Sequence, residues 1–220
     1  MGDLNQFNWI KQHQDLIRGP VLEIGSRHYA AESAVDYRRL CDGLEFIGVD
    51  ITEGTNVDQI LDFTSDPELI SEHLPQKFGT VICCSVLEHV ENVFKMAENI
   101  SHVVASSGTL FLSVPFTWRF HGYPSDYWRF TPKAVRYLFP DFQFQNDLST
   151  ISSNVPGDVR NLTDDPNFFV VKPAEELKSR YRLLGRFGFL NRLRVITSLD
   201  TYDYMLAPSC INMVGIKASV

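Results

Sequence analysis

Across 220 residues there is no C-x-x-C pair, no H-E-x-x-H signature and no apolar run approaching the length of a membrane span. The four cysteines, at 41, 83, 84 and 210, stand in apolar settings. Adjacent Cys83 and Cys84 would face opposite sides of a strand, so these read as reduced core thiols rather than a disulfide frame. The histidines at 13, 28, 73 and 102 give no metal-ligand spacing, and Glu88-His89 is half of no zinc motif. Metal-independent chemistry is therefore predicted. Met1 to Leu16 lacks the apolar stretch of a secretory leader, and Gln6 stands where a myristoylation motif needs Ser or Thr. A soluble cytoplasmic protein without a membrane span is expected.

Positive charge is scarce too. Twenty Lys and Arg face 27 Asp and Glu, a net charge of -7. No global field attracts a phosphate backbone, and nucleic acid is not expected as a partner. Glycine is missing where a dinucleotide loop needs it. Gly25 is followed by Ser26, Arg27, His28 and Tyr29, so Arg27 occupies the second glycine of G-x-G-x-x-G and blocks close approach of a pyrophosphate. A nicotinamide-dependent oxidoreductase becomes the least favoured reading.

What is present is a series of buried strands with acids near their carboxyl ends. Val21-Leu22-Glu23-Ile24-Gly25 and Phe46-Ile47-Gly48-Val49-Asp50 read as two of them, Ile60-Leu61-Asp62-Phe63 as a third and Thr80 to Cys84 as a fourth, running into Val86-Leu87-Glu88-His89-Val90. A carboxylate closing the second strand of an open α/β sheet is placed to accept hydrogen bonds from ribose hydroxyls. Helical patterns lie between the strands. Ser33 to Asp36 resembles a capping box opening a helix to about Cys41, and Asp66-Pro67 starts another. Val93, Ala97, Ile100 and Val104 form one face of a helix over 91–105. Gly108 separates it from a strand over 109–114. Thr131-Pro132 opens a short helix, followed by a strand over 142–150 and, after some 60 residues, a last one at Ile211 to Lys217. Alternating strands and helices predict a parallel sheet covered on both faces, and the length suits one α/β domain spanning 1–220.

These motifs in this order resemble the class I S-adenosylmethionine-dependent methyltransferases: acid-x-Gly on the first strand, an acid after the second, Asp-aromatic after the third, then an apolar strand closing in V-L-E-H-V. The resemblance covers roughly residues 20 to 115 and touches the last strand. It implies a Rossmann-like three-layer αβα sandwich with a mostly parallel seven-stranded sheet, its antiparallel last strand at the edge. It also implies S-adenosyl-L-methionine as cofactor, with Glu23, Gly25 and Ser26 at the methionine end, Asp50 on the ribose, Ile51 against adenine, Asp62 and Phe63 at the adenine rim, and Cys84 and Ser85 along the floor. Arg27 adds a hypothesis from chemistry: a guanidinium can clamp the methionine carboxylate through two parallel hydrogen bonds.

Residues 116–130 form the other dense region, with seven aromatics where the chain average of 12% gives about two. Long loops of this kind are usually functional, and a loop over 116–131 leaves the fifth strand on the cofactor edge. Its H-G-Y-P-x-D-Y-W-R-F-T-P segment is similar to one in a subset of small bacterial class I methyltransferases. Trp118, Tyr123, Tyr127 and Trp128 are candidates for acceptor contact, and Arg119 and Arg129 for binding an acceptor carboxylate or phosphate. His121, His89 and Asp126 are candidate general bases for a hydroxyl that loses its proton as it attacks. The bland alternative packs the aromatics on the domain and pairs Asp126 with Arg129 locally. An insertion at about 151–205 carries seven Lys or Arg against two Glu in 172–194, and reads as a cap or dimer contact. The function expected is methyl transfer to a small-molecule hydroxyl on a sugar or natural product. A non-catalytic adenosyl-binding module acting through a partner interface is the alternative, and a homo-oligomer is compatible with either.

Overall fold

The computed structural model describes residues 3–29, 35–122, 124–162 and 208–219. The chain divides into two units, Met1–Leu162 with Pro208–Val220, and Thr163–Ala207. The second unit, with the basic stretch and the apolar run at 168–171, lies outside the described residues, as does most of the expected insertion.

Eight strands form one sheet: β1 (Val21–Ile24), β2 (Phe46–Asp50), β3 (Gln59–Ile60), β4 (Phe78–Cys84), β5 (Val104–Thr117), β6 (Phe142–Ser153), β7 (Val159–Asn161) and β8 (Ser209–Lys217). Their spatial order is β3-β2-β1-β4-β5-β8-β6-β7. The first five are parallel, and β8 runs antiparallel between β5 and β6. This is the Rossmann-like sheet expected, with three corrections. The last strand is not at the edge but is inserted between β5 and β6, where Ile211, Met213 and Val214 are fully buried. The short β7 adds an eighth strand against β6. The third strand ends at Ile60, leaving Leu61, Asp62 and Phe63 in the turn beyond it. The chain reverses direction of travel along the sheet between β1 and β4, and ligand crevices in open α/β sheets open at such a point.

Helix α1 (Leu4–Gln12) has a reciprocal capping box: Asp3 accepts from the Gln6 backbone while the Gln6 side chain accepts from the Asp3 backbone. Its Trp9 packs edge-on against Phe111, ring centroids 5.5 Å apart, and its indole N–H donates to the Leu148 carbonyl. With the turn Tyr37–Leu40, α1 covers the sheet face bearing Val21, Ile82, Cys84, Phe111 and Val214. That turn is a single 3-10 segment rather than the helix expected up to Cys41, whose proposed start at 33–34 lies outside the described residues. Strand alternation puts Val81, Cys83, Leu110 and Leu112 on the opposite face, all buried. There α2 (Pro67–His73), α3 (Val93–Val103) and α4 (Pro132–Leu138) complete the third layer. Asn99 of α3 donates to the carbonyls of Phe63 and Ser65 at 2.8 Å, which fixes the turn after β3.

A buried polar chain ties α1 to the sheet. Gln6 Nε2 donates to Ser85 and Ser113 hydroxyls, Ser113 donates to Asn212 Oδ1, and Asn212 Nδ2 donates to Thr150 and Ser152. Asn212→Ala is expected to cost about 1–3 kcal/mol, the penalty of stranding buried hydroxyls. Chemical denaturation would measure it, and a loss below about 0.5 kcal/mol would mean the chain relaxes around the gap.

Candidate active site

A cleft of about 620 Å³ opens at the carboxyl ends of β1, β2 and β4. Gly25 leaves β1 with φ of 76°, and its N–H and that of Ser26 both donate to the Val49 carbonyl. A Cβ here would lie 2.3 Å from Val86 Cγ2, so only glycine fits the turn. Asp50 closes β2 at the cleft. Its Oδ1 accepts from the Thr52 N–H and hydroxyl at 3.1 Å, and its Oδ2 accepts a long bond of 3.4 Å from the Arg27 N–H, so lone pairs remain for a ligand. Ile51, Asp62 and Phe63 line the same side. Asp62 Oδ1 accepts from the Thr64 N–H and hydroxyl. Ser85 lines the wall below β4 with φ of 56°, a left-handed conformation unusual for a side-chain-bearing residue.

Four residues expected at the cofactor stand differently. Glu23 lies behind the cleft wall, buried, with Oε2 accepting from Asn56 Nδ2 at 2.9 Å; burial pushes its carboxyl up to about 8. Asn56 also donates to the Ser26 carbonyl, so Glu23 braces the β1 exit and does not line the cleft. Ser26 is buried against Gly48, and Cys84 packs with Tyr37 on the α1 face, its thiol pushed up to about 12 by burial. Neither lines the cleft. Arg27 does, but Nη1 donates to the Thr52 hydroxyl at 2.9 Å and the guanidinium lies over the Tyr29 ring. It is engaged beside Asp50, which disfavours the carboxylate clamp.

On the β4 and β5 side, Glu88, His89 and His121 converge, with Trp118 and Pro115 alongside. Glu88 is buried, which pushes its carboxyl up to about 7, and its Oε2 has no hydrogen-bond partner among the described residues. His89 Nε2 is 3.8 Å from Glu88 Oε1. Its Nδ1 contacts the Ser125 carbonyl, which can only accept, so Nδ1 carries the hydrogen. Burial lowers the His89 pKa, which favours the neutral ring with its lone pair on Nε2. His121 packs edge-on against it, centroids 4.9 Å apart.

The aromatic loop is folded onto this corner. Tyr127 N–H donates to the Glu88 carbonyl, the Trp128 indole to the Val90 carbonyl and Phe130 N–H to the Pro115 carbonyl. Asp126 is corrected as a base. Arg129 grips both its oxygens, the His121 N–H donates to it, and its carboxyl is held well below the usual range by the guanidinium, so it is a poor proton acceptor. Arg129 also donates to the Trp118, Arg119 and Trp128 carbonyls, which uses up the guanidinium as an acceptor-binding group. Arg119, Tyr127 and Trp128 do not line the cleft, and Tyr123 lies outside the described residues. Arg129→Ala should cost about 1.5–3 kcal/mol by stranding the Asp126 carboxylate. Thermal unfolding checks it, and Asp126→Asn with Arg129→Ala should recover part of the loss.

The polar cleft residues not expected from the sequence include Glu88, and Asp3 and Gln6 at the start of α1. The signal for the last two was the D-x-x-Q box before Phe7, Trp9 and Ile10. Glu88 stands in the V-L-E-H-V run beside the candidate base His89, but its burial against the cleft is a tertiary outcome.

No family model matches the sequence, and no curated protein matches it. Solved structures do. A S-adenosylmethionine-dependent methyltransferase from Archaeoglobus fulgidus is 17% identical with a TM-score of 0.56, over 97% of this chain and 93% of that one. The YcgJ protein of Bacillus subtilis is 16% identical with a TM-score of 0.56, over 98% and 99%. The 1,6-didemethyltoxoflavin-N1-methyltransferase of Burkholderia thailandensis, solved with bound 1,6-didemethyltoxoflavin and S-adenosylhomocysteine, is 10% identical with a TM-score of 0.54, over 98% of this chain and 78% of that one. The chain has the fold of the S-adenosylmethionine-dependent methyltransferases.

Proposed function

We propose that the protein transfers a methyl group from S-adenosyl-L-methionine to a hydroxyl of a small molecule. The observation that carries this is one cleft uniting Gly25, Asp50, Asp62 and Phe63 with Glu88, His89 and His121. The cofactor fits the residues present. Asp50 retains acceptor capacity for ribose hydroxyls, Ile51 and Phe63 offer apolar surface to adenine, and the bare backbone at Gly25 admits the methionine end. When bound, the cofactor would supply an electrophilic methyl whose bond to sulfur breaks as the bond to the acceptor oxygen forms, leaving a neutral thioether.

The protein's part is positioning and proton removal. Trp118 and Pro115 would hold the acceptor beside the polar corner, where collinear approach matters most. The hydroxyl proton would pass to the Glu88 carboxylate or the lone pair of His89 Nε2. Asp126 and Arg129 would keep the loop in place without touching the acceptor. The net charge of -7 favours a small-molecule acceptor over nucleic acid. Calorimetry with S-adenosylhomocysteine, followed by its release from S-adenosylmethionine with a panel of hydroxylated acceptors, tests the reading. Binding without turnover on any acceptor would favour a non-catalytic module. Stabilisation by NAD but not by S-adenosylhomocysteine would overturn it.

A further inference from the structure

We propose that Glu88, His89 and His121 form a site for a divalent cation of the zinc class at the acceptor end of the cleft. One donor atom from each lies within 4.8 Å of the other two. In a tetrahedral site, ligands about 2.1 Å from the ion stand about 3.4 Å apart. The 3.8 Å between His89 Nε2 and Glu88 Oε1 lies about 0.4 Å beyond this. The widest separation, within 4.8 Å, must close by at most about 1.4 Å, which requires the partly exposed His121 side chain to rotate inward on binding. The ligands come from two segments, the β4 exit and the aromatic loop, so no sequence motif announces them.

The surroundings are those of metal ligands. A ligating histidine usually donates its other ring N–H to a carbonyl or carboxylate, which fixes the tautomer. Both rings do so here. His89 Nδ1 donates to the Ser125 carbonyl, and His121 Nδ1 lies 3.2 Å from the Arg119 carbonyl and 3.3 Å from Asp126 Oδ2. Each Nε2 is left with its lone pair. The third ligand brings an independent sign, since buried Glu88 Oε2 has no partner among the described residues. A buried carboxylate oxygen is costly unless something compensates it. The ion pair of Asp126 with Arg129 then acquires a role, because it holds the loop that carries His121 and the Ser125 and Arg119 carbonyls.

Two imidazoles and one carboxylate suit Zn²⁺ better than Mg²⁺ or Ca²⁺, which favour all-oxygen sets. Three protein ligands leave a position open to the cleft. An acceptor hydroxyl bound there would lose its proton more readily, to the Glu88 carboxylate oxygen that does not hold the ion and not to His89 Nε2, whose lone pair the ion would take up. That catalytic role rests on the function proposed above; the ion site itself does not.

The test is calorimetric titration of Zn²⁺ into the full chain after chelator treatment and dialysis. The wild type is expected to show one saturable site. His121→Ala and the near-isosteric Glu88→Gln should each weaken it by about 100-fold, whereas His73→Ala, remote from the cleft, should not change it. Co²⁺ should give visible ligand-field bands that Glu88→Gln abolishes. Affinity for S-adenosylhomocysteine, measured on the same samples, separates the two readings. No saturable Zn²⁺ site in the wild type, or equal affinity in His121→Ala, overturns the proposal even where S-adenosylhomocysteine binds. A Zn²⁺ site without S-adenosylhomocysteine binding overturns the cofactor reading and leaves the ion site standing.

Discussion

Asp50→Ala is expected to weaken S-adenosylhomocysteine binding by about 10- to 160-fold for each ribose hydrogen bond lost, because a hydrogen bond to a charged acceptor is worth about 1.5–3 kcal/mol and a ribose can offer two. The carboxylate sits at the end of a strand buried between β1 and β3, so its position is set by the sheet and not by the ligand. Its bonds within the protein go to the Thr52 N–H and hydroxyl and weakly to the Arg27 N–H, all at the surface of the turn. Stability should therefore fall by no more than about 1 kcal/mol, and a folded variant with lost affinity is the expected outcome. Asp50→Asn keeps one acceptor oxygen and should fall between the two. Calorimetry on the three proteins measures it, and an affinity unchanged in Asp50→Ala would mean the nucleoside lies elsewhere.

Gly25→Ala should be the most damaging small substitution at the cleft. Two costs coincide. The backbone at φ 76° penalises any side chain by about 1–2 kcal/mol, and the added Cβ would press to 2.3 Å on Val86 Cγ2, an overpacking cost of about 1–3 kcal/mol. Together they predict a loss of about 2–5 kcal/mol, or a fall in Tm of roughly 5–15 °C. The double variant with Val86→Ala relieves the contact but not the backbone, so the cycle should show a coupling of about 1–3 kcal/mol. A strictly additive pair would mean the turn moves away from Val86 instead.

Much of the layout was legible in the sequence. β1 and β4 are buried parallel strands, and such strands read as continuous apolar runs. Gly25, Asp50, Ile51, Asp62, Phe63 and Ser85 stand at or just beyond strand exits and line one cleft. The strand expected over 142–150, most of Phe142–Ser153, and the cap at Thr131 were equally local. The helix expected up to Cys41 shows where local signals end. Its capping pattern was present, but Tyr37 is drawn into the core and the described chain makes only one 3-10 turn.

By itself, then, the order of residues determined where the main strands lie, where they end in acids or glycine, and that the first loop lacks a second glycine. These depend on interactions a few residues apart. Tertiary structure alone decided that β8 enters the sheet between β5 and β6, that Glu23 turns inward to Asn56 while Asp50 meets the cleft, and that Arg129 claims Asp126. It also brought His121 beside Glu88 and His89. Each of these outcomes follows from burial and pairing between distant segments, where a carboxylate's role depends on which partner reaches it and on how much water it has lost.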